Sequence, residues 1–283
     1  MSRPALSVIV PAHDEEHVIG GMLADLLDGA AGNLEVIVVA NGCHDATAAT
    51  ARAAHPGIRV VEVPRASKIA ALNAGDRATT VFPRAYVDAD VSVSGRALLA
   101  LAGALDTELP RVATAALELD LSGATLAVRL YYRVWLLRAE GRSDRLGSGV
   151  YGVNSAGRER FGEFPDVVAD DRFVQGRFAP GERLVPAGCT SVVRPPRTIS
   201  ALLHRGARIA AGNLQLEAAG LGGEAPPAGS SLGAFLRAVL VDPRLWPGFA
   251  LYCWVHVRTR QLARRKLATE PVLGWARDET TRT

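Results

Sequence analysis

Apolar positions recur along the 283-residue chain with two different periods. Two short, mainly apolar runs, Leu6 to Val10 closed by Pro11 and then Leu34 to Val39, read as buried strands. Between them Val18, Met22 and Leu26 repeat at four-residue spacing beside Ile19, Leu23 and Leu27. That spacing predicts one apolar face of a helix ending near Gly29. The alternation continues with a helix over Thr47 to Ala54, a strand over Ile58 to Val63, a helix over Ile69 to Ala78 and a strand over Ala85 to Asp88. Strands alternating with helices of about ten residues predict an α/β fold with a parallel, doubly wound sheet. Ligands of such sheets sit at the carboxyl ends of the strands. Chemistry is therefore expected in segments 11–16, 40–45 and 88–90.

Downstream the pattern predicts a helix over Arg96 to Leu105, one strand over Val112 to Leu119 and a helix over Leu126 to Arg138. The last carries Tyr131, Tyr132 and Trp135, and its cluster of Leu130, Tyr131, Trp135 and Leu136 is expected in the core or in a cleft wall. Gly147 to Gly152 is a glycine-rich strand or loop, where backbone can approach a ligand closely. Helical patterns follow at Asp170 to Phe178 and Ile199 to Leu216. Residues 220–231, rich in Gly, Pro and Ser, read as a linker, and two more helical patterns fill the last fifty positions.

Composition narrows the class. Charged residues make up 22% and hydrophobic ones 48%, as in an ordinary globular protein. Net charge is +3 and the pI about 9.0. With 6% aromatics and no basic run interleaved with them before the tail, a nucleic-acid partner is not expected. The bases are 30 Arg and 2 Lys, which fits GC-rich bacterial coding. Cys43, Cys189 and Cys253 form no Cys-x-x-Cys pair, so neither a disulfide framework nor a structural zinc site is expected, and a reducing cytosol fits best. No charged-then-apolar leader opens the sequence, so no signal peptide is expected. No stretch reaches the apolar length of a spanning helix. Signatures of a serine hydrolase, a P-loop and a His-Glu-x-x-His zinc site are absent.

Asp88 and Asp90 stand at the end of the fourth strand. If that segment stays extended, both project to one side. Two carboxylates there suit a hard divalent cation, Mn²⁺ or Mg²⁺, that takes one or two protein carboxylates and a substrate's phosphates. With 15 Asp in the chain, one Asp-x-Asp arises by chance, so the weight comes from the surroundings. After the first strand a dinucleotide fold would place Gly-x-Gly-x-x-Gly. Here stand His13-Asp14-Glu15-Glu16, acids that favour a helix start but repel a pyrophosphate. They are acceptors for a base or ribose, or else plain helix caps.

Four motifs resemble, in order and spacing, those of the family 2 glycosyltransferases with the GT-A fold. They are Ser7-Val8-Ile9-Val10-Pro11-Ala12-His13-Asp14-Glu15-Glu16, Val38-Val39-Ala40-Asn41-Gly42-Cys43-His44-Asp45, Lys68-Ile69-Ala70-Ala71-Leu72-Asn73 and Val87-Asp88-Ala89-Asp90. The resemblance covers roughly residues 5 to 215. It implies a Rossmann-like, mostly parallel central sheet flanked by helices, with a C-terminal helical extension. The implied division is a catalytic domain over 1–219 (a nucleotide-sugar half, 1–91, and an acceptor half, 92–219), the linker, and the extension at 232–283.

The same resemblance implies donor contacts from Pro11, His13, Glu15, Asn41, Lys68 and Asp88, and metal on Asp88 and Asp90. Ala40-Asn41 replaces the two acids of many members, and Asp14 their usual Asn. Lys68 is the only Lys before the tail, which argues for a compact ammonium there. In Ala169-Asp170-Asp171-Arg172, Asp171 takes the family's general-base place and Asp170 that of its neighbouring Glu, though two acids opening a helix are also ordinary caps. Arg205 and Arg208, three apart on one helical face, could clamp a diphosphate or the acceptor.

The activity so implied is inverting, metal-dependent transfer of a sugar from a nucleoside diphosphate to an acceptor hydroxyl. The place implied for it is the cytoplasm, including the inner face of the membrane. Two rivals are a sugar-nucleotide-forming nucleotidyltransferase, which would need a glycine- and base-rich first loop, and a non-catalytic sugar-nucleotide or membrane-surface binder. The stretch 245–266 is apolar and aromatic with a basic flank. It reads either as a peripheral membrane contact or as a helix packed on the catalytic domain with a solvated basic end; the second is preferred.

Overall fold

The computed structural model describes residues 4–30, 32–140, 146–167, 169–222 and 229–269, without the side chains at 139, 140 and 229–231. The chain divides into two compact units, residues 1–119 with 144–193, and residues 120–143 with 194–283.

The first unit opens with β1 (Leu6–Ala12), α1 (Ile19–Leu27), β2 (Leu34–Asn41), α2 (Thr47–Ala54), β3 (Arg59–Val63), α3 (Lys68–Arg77) and β4 (Arg84–Val87). It continues with β5 (Val91–Val93), α4 (Gly95–Ala104), β6 (Val112–Thr114) and β7 (Ala116–Leu119). After α5 (Leu126–Glu140), which belongs to the second unit, come β8 (Val150–Val153), α6 (Ser155–Arg158), α7 (Asp170–Gln175), β9 (Arg183–Leu184) and β10 (Thr190–Val193).

Seven strands form the main sheet in the order β3-β2-β1-β4-β8-β6-β9. Every pairing is parallel except those of β8, which runs against both neighbours. In β1 and β2, Val8 pairs with Val36 and Val10 with Val38. These residues join Ile19, Leu23 and Leu26 of α1 and Leu98 and Leu101 of α4 in one core. On the opposite face Ile9 and Val39 meet α3 at Gly75. Burial on both faces is why the strands read as apolar runs interrupted only by Ser7 and Glu35; each fully buried aliphatic side chain contributes roughly 1.5–3 kcal/mol. Helix starts follow local chemistry: Ser67 Oγ accepts from Ala70 N at 3.2 Å to open α3, and Ser94 Oγ accepts from Ala97 N at 3.2 Å to open α4.

Two expectations need correction. The single strand over 112–119 is two: β6 joins the main sheet, whereas β7 pairs with β10 in a separate three-stranded sheet with β5. Burial marks the change, since β6 is buried throughout and β7 is only alternately covered. Second, β4 ends at Val87, and Val91 N donates to Asp88 O at 3.1 Å. Asp88 and Asp90 therefore lie on a turn, and extended-strand alternation does not set their directions. The antiparallel entry of β8 leaves the sheet mostly parallel, as expected.

The second unit holds α5, α8 (Ile199–Ala218), α9 (Gly229–Val241) and α10 (Trp246–Thr269). α10 packs along α8 and α5. Its approach to α5 is close enough that a Cβ at Gly248 would stand 2.5 Å from Leu130 O. Val134, Phe235, Val239 and Leu245 make a small core. Tyr131 and Tyr132 are buried, and Tyr131 stacks on Tyr252 with ring centroids 5.7 Å apart, so these aromatics belong to the interior of this unit. Of the expected linker, 223–228 lie outside the described residues and α9 already begins at Gly229. No helix among the described residues is long and apolar enough to cross a membrane.

Candidate active site

The carboxyl ends of β1, β2 and β4 bring their loops together, as a doubly wound sheet requires. Pro11 is buried within β1. Beyond it the first two loops are laced by hydrogen bonds. His13 Nδ1 donates to Asn41 O at 2.8 Å, and its Nε2 stands 3.9 Å from Asp14 Oδ2. Asp14 Oδ1 accepts from His44 N at 2.6 Å, Glu15 N donates to Thr47 Oγ1 at 2.7 Å, and Glu16 Oε2 accepts from Ala46 N at 2.9 Å.

Asp14 has a φ of 52°, the one described non-glycine residue with positive φ, and Asp and Asn tolerate that region best. It does not cap α1, which opens at Val18 with no side-chain cap. Two of the acids after β1, Asp14 and Glu16, thus satisfy backbone amides just ahead of α2. Asn41 is wholly buried, and its amide is spent on backbone: Nδ2 donates to Ala12 O at 2.7 Å and Oδ1 accepts from Ser67 N at 3.0 Å. It joins three loops and offers no surface to a ligand in this conformation. Glu15 is also buried. His13, Asp14 and Cys43 bring ligand-type atoms within 4.8 Å of one another, but burial above all raises the Cys43 thiol and works against a thiolate ligand.

The charged centre lies at the start of α3. Lys68 Nζ stands 2.7 Å from Asp88 Oδ1 and 3.0 Å from Asp170 Oδ1. One ammonium thus ties the turn after β4 to the start of α7, two segments far apart in the chain. Burial works against the charge on Lys68, but Asp170 and then Asp88 outweigh it and raise its pKa. Asp170 is almost fully buried, and its Oδ2 accepts from Tyr151 OH at 3.0 Å. Burial and the adjacent Asp170 push the Tyr151 phenol well up, so it stays protonated and donating.

Asp171 is only partly covered, and its Oδ1 accepts from Arg172 N at 2.7 Å. Burial first, then Asp170, push its pKa up to about 6, against the opposing pull of Lys68. A carboxyl so placed can hold or release a proton near neutrality. The segment 147–149 runs past both acids. A Cβ at Gly147 would stand 3.6 Å from Asp171 Oδ2, and one at Gly149 3.5 Å from Asp88 Oδ2. Gly149 has a φ of 72° and its carbonyl accepts from Asp88 N at 2.9 Å, so glycine is needed there both for its backbone and for space.

Asp88 has a side chain 37% exposed, and Asp90 is exposed on the same turn. Their carboxylate oxygens are donors that fit a hard cation keeping most of its positions for phosphate and water, with Asp88 Oδ1 held by Lys68 in this structure. Arg205 and Arg208 lie on α8 in the second unit, both partly buried.

Sequence reasoning missed Tyr151 as the partner of Asp170, although it had singled out the glycine-rich stretch that contains it. It also missed Asn73, whose amide pairs both ways with the backbone of Phe164 (Nδ2 to O at 3.0 Å, N to Oδ1 at 2.8 Å). The position of Asn73 inside the Lys68 motif was the available signal.

This sheet, with acids gathered on the turn after β4 and at the start of α7, is the arrangement of a GT-A glycosyltransferase. The chain belongs to glycosyl transferase family 2, whose family model matches residues 7–158. Among solved structures it is similar to the mannosyltransferase PcManGT from Pyrobaculum calidifontis in complex with GDP-Man and Mn²⁺. That likeness has 22% identity and a TM-score of 0.61 and covers 97% of this chain and 77% of the other. It is also similar to glucosyl-3-phosphoglycerate synthase from Mycobacterium tuberculosis in complex with Mn²⁺, UDP and phosphoglyceric acid. There the identity is 21% and the TM-score 0.51, covering 79% of this chain and 80% of the other. No curated protein matches the sequence.

Proposed function

We propose that this glycosyltransferase moves a sugar from a nucleoside diphosphate to an acceptor hydroxyl with inversion at the sugar carbon. The observation that carries the reading is the Lys68 bridge between Asp88 and Asp170, with Asp171 beside it at a pKa of about 6. It joins a donor-side motif to a proton-accepting carboxylate in one cluster. The similar structures, with GDP-Man and Mn²⁺ or with UDP and Mn²⁺, support a nucleotide donor and a divalent cation.

Asp88 and Asp90 would hold the cation through hard oxygen donors. When bound, it supplies positive charge against the diphosphate as that group leaves. Pro11, His13 and Glu15 line the nucleotide end, with Asn41 holding their loops in place. Lys68 orients Asp88 and Asp170, and burial together with Asp170, fixed by Tyr151, keeps Asp171 above the ordinary carboxylate range. Asp171 takes the proton of the attacking hydroxyl and is regenerated when it releases that proton to solvent. By resemblance alone, Arg205 and Arg208 are assigned to the phosphates. The acceptor classes consistent with this site are a cell-surface glycan, a lipid-linked sugar acceptor or a small molecule.

Two variants test the assignment. Asp90→Asn should remove the rise in melting temperature that Mn²⁺ plus the correct nucleotide sugar gives the wild type, since a ligand of the folded form must stabilise it. A full shift in that variant would sink the metal assignment. Asp171→Asn should keep the donor-induced shift and lose transfer; retained turnover would remove it as the base.

A further inference from the structure

The outward faces of α9 and α10 are apolar where solvent-facing helix surface is normally polar. On α9, Phe235 and Val239 point into the small core, while Leu232, Leu236 and Leu240, four apart, form an exposed stripe beside Val241. Leu240 and Val241 are 70% and 72% exposed. On α10, Val255, Thr259 and Ala263 are buried, and Trp246, Ala250, Trp254 and Val257 occupy the uncovered face, with Trp246 and Val257 54% and 55% exposed. No charged side chain interrupts the exposed positions of α10 from Trp246 to Val257; the face then turns basic at Arg260, Arg264 and Arg265.

Charge chooses among the occupants of such a surface. Residues 229–269 carry seven Arg and Lys against a single acid, Asp242, which stands 4.0 Å from Arg133. The chain as a whole is close to balance, with 32 bases and 29 acids, so this excess is local. A second copy of the same face would bring like charges together and is disfavoured. Exposed leucines, two tryptophans and a one-signed basic flank match instead an anionic bilayer surface. There apolar side chains enter the acyl boundary, indoles sit at headgroup level, and arginines meet lipid phosphates.

We propose that α9 and α10 form a peripheral docking surface for anionic phospholipid. The helices lie on the membrane and do not cross it. One face of α10 packs along α8 and α5 within its own unit, and the opposite face is the one that meets lipid, so the two sequence expectations for this segment describe two sides of one helix. The proposal is independent of the transfer reaction.

The test is co-sedimentation of the full chain with phosphatidylcholine vesicles that contain or lack phosphatidylglycerol. Binding is expected only with phosphatidylglycerol, and it should weaken as salt rises. The double variant Leu236→Ser/Leu240→Ser should lose at least about tenfold in partitioning. Arg260→Ala/Arg264→Ala should lose about fivefold per charge at low salt. All four side chains are exposed, so both variants should keep the wild-type melting temperature. Absence of vesicle binding, equal binding to uncharged vesicles, or full binding by both variants overturns the proposal. So does a concentration-dependent dimer that the leucine variant abolishes while vesicles bind nothing.

Discussion

Replacing Asp171 with Asn should make the protein more stable at neutral pH while it removes transfer. The folded protein raises the Asp171 pKa from 3.8 to about 6, chiefly through burial and then through Asp170. Between those two values the folded state binds a proton that the unfolded chain has released. Stability associated with this group is therefore fullest below 3.8, falls as pH climbs towards about 6, and is flat above it. A rise of that size corresponds to about 3 kcal/mol, and the strong interaction with Asp170 and Lys68 brings the expected effect down to about 2 kcal/mol.

Asn keeps the acceptor oxygen for Arg172 N and the volume of the side chain, so the charge is the main thing removed. The variant should gain about 2 kcal/mol at pH 8, or roughly 4–8 °C in melting temperature for a chain of this size. The gain should shrink steadily from pH 6 downward. Chemical unfolding at several pH values, with transfer assayed in parallel, measures both effects. No gain at pH 8, or an equal gain at pH 5 and pH 8, would show that Asp171 is not strained by its neighbours.

Lys68→Met should leave the buried Asp170 with no ammonium partner and cost about 2–4 kcal/mol, less than a fully buried pair because Lys68 retains some solvent contact. It should also move the acid limb of the pH–rate profile upward, because Lys68 is what holds Asp171 down; an unmoved limb would separate the two residues. Gly149→Ala should cost about 1–3 kcal/mol, from a side chain at a φ of 72° and pressure on Val91, and donor-induced stabilisation should fall with it. Asn41→Ala should cost about 1–2 kcal/mol by removing the acceptor of the half-buried Ser67 N and leaving Ala12 O with only the Cys43 thiol as a side-chain donor, read as a drop in melting temperature without ligand.

Local chemistry was legible because its causes are local. Strands buried on both faces are apolar at most positions, so β1 and β2 could be read directly from their composition, and α2 was read with its observed ends. The helix of α3 was visible in its apolar spacing, and the four motifs led to the family that the chain belongs to. The split of 112–119 was hidden because each half is an acceptable strand alone; what divides them is the partner, β8 for one and β10 for the other. Likewise no feature of Ala85 to Val91 announced that the chain turns after Val87.

Sequence by itself determined the repeating strand–helix pattern, the ends of strands where chemistry gathers, and the residue types available there, because each follows from periodicity and from side-chain chemistry. Tertiary structure alone decided what those residues do to one another. Asn41, Asp14 and Glu16 turned to stitch loops by meeting backbone groups that neither helix nor sheet pairs. Lys68 found Asp88 and Asp170 from separate parts of the chain, and Asp171 acquired a pKa near 6 only because desolvation and a neighbouring charge meet there. Proton affinity depends on the field of whatever the fold places within a few ångströms, and distance in sequence carries no record of that field.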